Sequence, residues 1–122
     1  MYERKMEEDL DCGIRAALKV FGGKWKLCII DAIKRGIVRP VEIHKSIPGS
    51  TLRVIEMQLA DLFFFGVVDR ETEEVYPKKT EYRLTELGSS ILPLLSGIDN
   101  WGNAHADYVK DKAGELQRSF IR

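Results

Sequence analysis

The chain has 122 residues, 44% hydrophobic and 31% charged, which fits one domain (1–122) with a core and excludes a solvated disordered chain. Nineteen basic residues balance nineteen acidic ones, yet residues 12–55 carry nine basic and two acidic groups, a net of +7, so a polyanion partner is not excluded. No apolar run approaches the roughly 20 residues of a membrane span, and the stretch before Cys12 is acidic where a signal peptide is basic and then apolar, so a cytoplasmic protein without a membrane partner is expected. In chain order, Asp11 is expected to cap a helix whose inward face is Ile14, Ala17, Leu18 and Phe21, ended by Gly22 and Gly23. Lys24 to Lys34 reads as a second helix, apolar almost all round and therefore enclosed by others. Pro40 opens a short helix with Ile43 and Ile47 inward, ended by Pro48 and Gly49. Thr51, or Ser50 beside it, caps the next helix, with Ile55, Leu59 and Leu62 inward and Arg53, Met57, Ala60 and Phe64 outward, closing at Gly66.

Residues 67–71 and 80–84 are rich in Val, Thr and Tyr and predict a hairpin with a long loop tipped by Lys78 and Lys79. Thr85 then caps one long helix with apolar or aromatic residues at 87, 91, 94, 98, 101, 105 and 108, kinked at Pro93. Such a seam exceeds what a small domain needs and predicts a homodimer through Leu87, Ile91, Leu94, Ile98, Trp101 and His105. The polar tail, 110–122, is expected to fray. The fold class is thus mainly α with a small antiparallel β hairpin. Phe63, Phe64 and Phe65 cannot all face one core from a helix, since successive residues are about 100° apart. At least one is expected to be exposed, with contact to the strand bases of the hairpin as the simplest role.

Catalytic chemistry finds no support. The two histidines, His44 and His105, lie far apart in sequence without a nucleophile-elbow pattern. Gly22-Gly23-Lys24 lacks both the upstream glycine of a phosphate loop and the following Ser or Thr, since Trp25 stands there. Cys12 and Cys28 are too few for a disulfide framework and match no metal-ligand spacing, so no metal or cofactor is expected. Pro40 to Gly66, by contrast, describes a helix-turn-helix followed by a basic-tipped hairpin. A recognition helix presents its first turns to base edges while a wing adds cations along the backbone. The candidate DNA-binding residues are Arg39, His44, Lys45, Ser50, Thr51, Arg53, Met57, Lys78 and Lys79. Glu56 and Asp61, in a segment of net −5, keep a protein-binding adaptor without DNA affinity as the alternative.

Four stretches carry a family resemblance: CGIRAALKVFGGKWKL at 12–27, IPG at 47–49, YRLTELG at 82–88, and LPLL with a following WG within 92–102. Over roughly residues 11–106 the chain resembles the HxlR-type winged helix-turn-helix regulators, related to the MarR regulators. The resemblance implies a dimeric repressor or activator acting on double-stranded, pseudo-palindromic DNA, with no catalytic activity. Pro40, Leu52 and Phe63-Phe64-Phe65 depart from the family's usual residues. For members with a Cys just before the first helix it also implies redox or electrophile sensing, here at Cys12. Free amides of a first helical turn favour negative charge there, while Asp9 and Asp11 oppose it. Cys28 is expected to be a buried, inert hydrophobe.

Overall fold

The computed structural model describes residues 9–121; the acidic segment 1–8 that bore on the signal-peptide reading lies outside the described residues. Seven helices and one hairpin follow in the order α1 (Gly13–Phe21), α2 (Lys26–Lys34), α3 (Pro40–Ser46), α4 (Leu52–Phe64), β1 (Val68–Thr72), β2 (Thr80–Leu84), α5 (Glu86–Ser89), α6 (Leu92–Ala104) and α7 (Ala106–Ile121). They form two compact units divided between Ser90 and Ile91. Mainly α with one antiparallel hairpin is the architecture predicted.

In the first unit α2, α3 and α4 pack on one another and against the hairpin. Ile29, Ile30, Ile43, Ile55, Leu59, Leu62, Val67 and Val68 are fully buried. The apolar spacing of α4 leads to this directly, because Ile55, Leu59 and Leu62 recur at three and four residues and share one face. Thr51 caps α4 as expected, its hydroxyl accepting the Val54 N–H at 3.1 Å. At the other end, Val67 N–H reaches the Leu62 carbonyl at 2.9 Å and Gly66 takes a φ of +78°, the left-handed turn that lets the chain leave the helix and enter β1. The strands pair from Val68 opposite Leu84 to Thr72 opposite Thr80.

The junction after β2 explains the TELG stretch. Thr85 donates its hydroxyl to the Gly66 and Val67 carbonyls, accepts the Gly88 N–H at 3.0 Å and starts α5. A Cβ at position 88 would collide with the Val67 carbonyl, so only glycine lets α5 lie this close to the strand.

Several expectations are corrected. Asp11 does not cap α1: its N–H turns back to the Asp9 carboxylate at 3.2 Å, and the cap position falls to Cys12, whose carbonyl accepts the Ala16 N–H at 2.9 Å. The α1 face is amphipathic, yet within the described chain only Phe21 is buried on it; Ile14 is 73% exposed and Leu18 is exposed too. The second helix starts two residues later than expected, at Lys26, and is not apolar all round. Cys28 is exposed rather than buried, because it shares the outer face with Asp31 and Arg35, an ion pair at 3.1 Å, while Ile29, Ile30, Ala32 and Ile33 take the inner one.

The single long helix is replaced by α5, α6 and α7. Pro93 cannot sit in a continuous helix, since its ring would strike the carbonyl of Ser89, and α5 ends at that residue. Pro93 becomes the second residue of α6 instead of a kink. A second interruption falls at His105, with φ −116° and ψ 14°. The polar tail does not fray: α7 continues to Ile121. No helix among the described residues is long and apolar enough to cross a membrane.

Candidate nucleic-acid interface

The turn between α3 and α4 is built by Gly49 and Ser50. Gly49 takes a φ of +86°, and Ser50 is 9% exposed, its hydroxyl donating to the Ile47 carbonyl at 2.8 Å or the His44 carbonyl at 3.1 Å. His44 Nδ1 lies 3.1 Å from the same hydroxyl, so both candidate residues face each other within the turn. Their polar groups are used to hold the angle between the two helices, with His44 half-buried.

Beyond the turn, α4 turns a full exposed stripe outward: Arg53, Met57, Ala60 and Phe64, spaced by four, three and four. Arg53 has no ion-pair or hydrogen-bond partner among the described residues, so its five donors are available. Thr51 begins this face, exposed at the cap. Two contacts brace α4 from behind, where Lys26 extends from the first turn of α2 to Gln58 at 2.7 Å and Asp61 at 3.3 Å. Sequence reasoning missed this brace, since no spacing rule links residues some 30 positions apart.

The hairpin is tied to the segment just before α3 by a backbone bond: Tyr82 N–H donates to the Val38 carbonyl at 2.9 Å. That bond places Arg39, the residue capping α3, beside β2, where its guanidinium meets Glu81 at 3.2 Å. Arg39, Lys45, Lys78 and Lys79 then line one groove of about 450 Å³ together with Glu42 and Glu56. Four of the nine predicted contact residues therefore converge in the groove, three (Thr51, Arg53, Met57) lie along exposed α4, and two (His44, Ser50) form the turn between them. The convergence of α3 with the wing loop has no signal in the sequence; it follows from the bond between Val38 and Tyr82.

The aromatic run resolves as the 100° step requires. Phe63 lies under the Arg70 guanidinium of β1 at 4.1 Å from the ring centroid, the contact with the hairpin that was expected. Phe64 is 82% exposed and meets Phe65 edge-on at 5.4 Å. Among the described residues no group of His, Cys, Asp or Glu could hold a metal ion.

The candidate dimerisation residues divide. Leu87 in the first unit is exposed. In the second, Leu94, Ile98 and Trp101 are exposed along α6, and His105 is exposed and stacks on Trp101 at 4.4 Å with its Nδ1 2.9 Å from the Trp101 carbonyl. Ile91 is the exception: at 5% exposed it has no surface to offer a partner, and it is buried like Leu95 one turn on. Cys12 stands at the cap of α1, half-buried.

Comparison with known proteins agrees with this geometry. A family model described as an HxlR-like helix-turn-helix matches residues 20–110. An HTH-type transcriptional regulator of Methanothermobacter thermautotrophicus is 32% identical over 109 residues, 89% of this chain and 82% of that protein. The HTH-type transcriptional regulator YtcD of Bacillus subtilis is 34% identical over 88% of this chain and 86% of its own. Among solved structures, the redox regulator HypR in its reduced form superposes with a TM-score of 0.74 at 32% identity, over 81% of this chain and 98% of that one. The chain, a helix-turn-helix with an exposed second helix and a wing tipped by Lys78 and Lys79, belongs to the HxlR-like helix-turn-helix family and is a DNA-binding transcriptional regulator.

Proposed function

We propose that the protein is a homodimeric, sequence-specific cytoplasmic repressor that binds a pseudo-palindromic operator in double-stranded DNA and needs no cofactor. The observation that carries this reading is the unpartnered Arg53 on the exposed face of α4, beside the groove lined by Arg39, Lys45, Lys78 and Lys79. In this reading α4 enters the major groove, where Arg53 donates to guanine and Met57 meets a thymine methyl. Lys78 and Lys79 bind phosphates beside the minor groove, with Arg39, Lys45 and Thr51 along the backbone. His44 and Ser50 contribute by holding the turn. Two copies join through Leu94, Ile98, Trp101 and His105, which leaves one α4 for each half-site.

Enrichment of bound duplexes from random DNA tests the reading. The purified protein is expected to select a two-fold repeat. Arg53→Ala is expected to lose about 1–3 kcal/mol on that site and to relax sequence preference, whereas Lys78→Ala weakens all sequences alike and lowers the salt slope by roughly one per half-site. Failure to enrich any sequence would leave the adaptor reading in its place.

A second reading concerns regulation. Cys12 opens the apolar α1 face formed by Ile14 and Leu18, and the similar HypR is a redox regulator solved in reduced and oxidised forms. We infer that oxidation of Cys12 changes DNA affinity. Diamide takes two electrons and two protons from Cys12 of each of two copies, whose sulfurs become one disulfide. DNA affinity is expected to change on diamide treatment of the wild type and of Cys28→Ser, but not of Cys12→Ser. Because Cys28 is exposed, its alkylation alone carries no information about Cys12.

A further inference from the structure

Glu56 stands on α4 one turn beyond Arg53, about 60° round the helix from it and about 4.5 Å further along the axis. Its side chain is exposed and lines the groove with Arg39, Lys45, Lys78 and Lys79, yet among the described residues it has no ion-pair or hydrogen-bond partner. The neighbouring acids are treated differently. Glu81 is held between Arg39 and Arg83, each at 3.2 Å, and Asp61 is held by Lys26. Among the described residues the groove thus keeps two unpaired carboxylates, Glu42 in the first turn of α3 and Glu56, and of these two Glu56 is the one on the reading helix itself.

An ionised carboxylate only accepts hydrogen bonds. Phosphates, guanine N7 and O6, and thymine O4 are acceptors as well, so each of them repels it. Major-groove donors are the amino groups of adenine and cytosine, and adenine sets its amino group beside the N7 acceptor. Cytosine presents the N4 amino group with no acceptor on its own major-groove edge, which makes it the base that suits a carboxylate best. Arg53, one turn earlier, donates to guanine. The axial offset of about 4.5 Å exceeds the base-pair step of about 3.4 Å by less than one step, which keeps both side chains within reach of guanine and cytosine edges one or two pairs apart.

We propose that Glu56 is a base-reading residue: it accepts a hydrogen bond from the N4 amino group of a cytosine in each half-site, and repels DNA that lacks an amino group there. The proposal rests on the reading of α4 as the helix in the major groove. Its value beside a wing tip carrying Lys78 and Lys79 is discrimination, because these lysines attract every sequence while Glu56 weakens binding to all but those that satisfy it.

The test enriches random duplexes with the wild type and with Glu56→Gln, a near-isosteric change at an exposed helical position. Both proteins are then titrated with the wild-type site, with its single-base-pair variants, and with an unselected duplex across a salt series. The wild type is expected to prefer cytosine at one position per half-site on the order of ten-fold, and Glu56→Gln is expected to lose that preference while binding the unselected duplex more tightly. A Gln variant that keeps the base profile at every position, whether binding is uniformly tighter or uniformly weaker, overturns the proposal, as does a wild-type site without a cytosine requirement. A wild type that enriches nothing overturns the DNA reading itself, which is a separate and recognisable outcome.

Discussion

The two units differ in how much of their apolar surface they bury. Up to Ser90, the inward aliphatic side chains of α2, α3, α4 and the start of β1 are buried, and the exposed apolar residues, among them Ile14 and Leu18 of α1, Val41 of α3 and Met57 of α4, are spread over several elements. From Ile91 onward, Ile91 and Leu95 are the buried hydrophobic residues among those described, while Leu94, Ile98, Trp101, Tyr108, Val109, Leu116 and Phe120 are exposed. A run of this kind is what the proposed dimer covers, since soluble chains seldom leave a contiguous apolar stripe in water. The contrast separates residues that carry the fold of one chain from residues that the proposed dimer would cover.

The largest effect should come from the first group. Leu59→Ala removes a fully buried side chain from the centre of α4 and is expected to cost about 2–5 kcal/mol in urea unfolding, with little change in the midpoint's dependence on protein concentration. A loss under about 1 kcal/mol would show that the core relaxes into the space.

How much of this was legible follows the same division. Periodicity of three and four located α4 and its inward residues, and the capping hydroxyls of Thr51 and Thr85 were readable because a cap is a local rule. The same periodicity read 85–108 as one helix, since it registers spacing and not the steric conflict between Pro93 and Ser89. Cys28 was misplaced because the apolar count of α2 outweighed the polar pair, Asp31 and Arg35, that marks its outer face. In the site, the exposed Arg53 was visible from the pattern alone. The groove that gathers Arg39 and Lys45 with the wing lysines was not, because it depends on a backbone bond between Val38 and Tyr82, far apart in sequence.

The second unit sharpens the comparison through Trp101. It is 61% exposed and stacked on His105, so Trp101→Ala should leave the unfolding of a single chain nearly unchanged while weakening association by about 2 kcal/mol or more. Light scattering across a micromolar dilution series should move from the mass of two chains toward that of one. A wild type with the mass of one chain throughout would break the contrast. Thr51→Ala comes next: loss of the hydroxyl that accepts the Val54 N–H should cost about 1 kcal/mol of stability, and a Ser or Asp at 51 should restore most of it in the same unfolding experiment.

The smallest effect concerns the aromatics that the first unit does expose. Arg70 of β1 covers Phe63 at the end of α4, a contact at the root of the wing worth about 0.5–1 kcal/mol where solvent reaches it. Arg70→Ala should cost that much and no more, and in a Phe63→Leu background the cost should shrink toward zero, since the ring that attracts the guanidinium is gone. Neither change should alter the mass seen by light scattering, because Phe63 is covered by a neighbour within its own unit, whereas Trp101 stacks on His105 and is exposed among Leu94 and Ile98 of the same helix. If Arg70→Ala or Phe64→Ala dissociated the protein as Trp101→Ala is expected to, the assembly surface would extend to the end of α4, and the division between a self-sufficient unit and an assembly unit would have to be redrawn there.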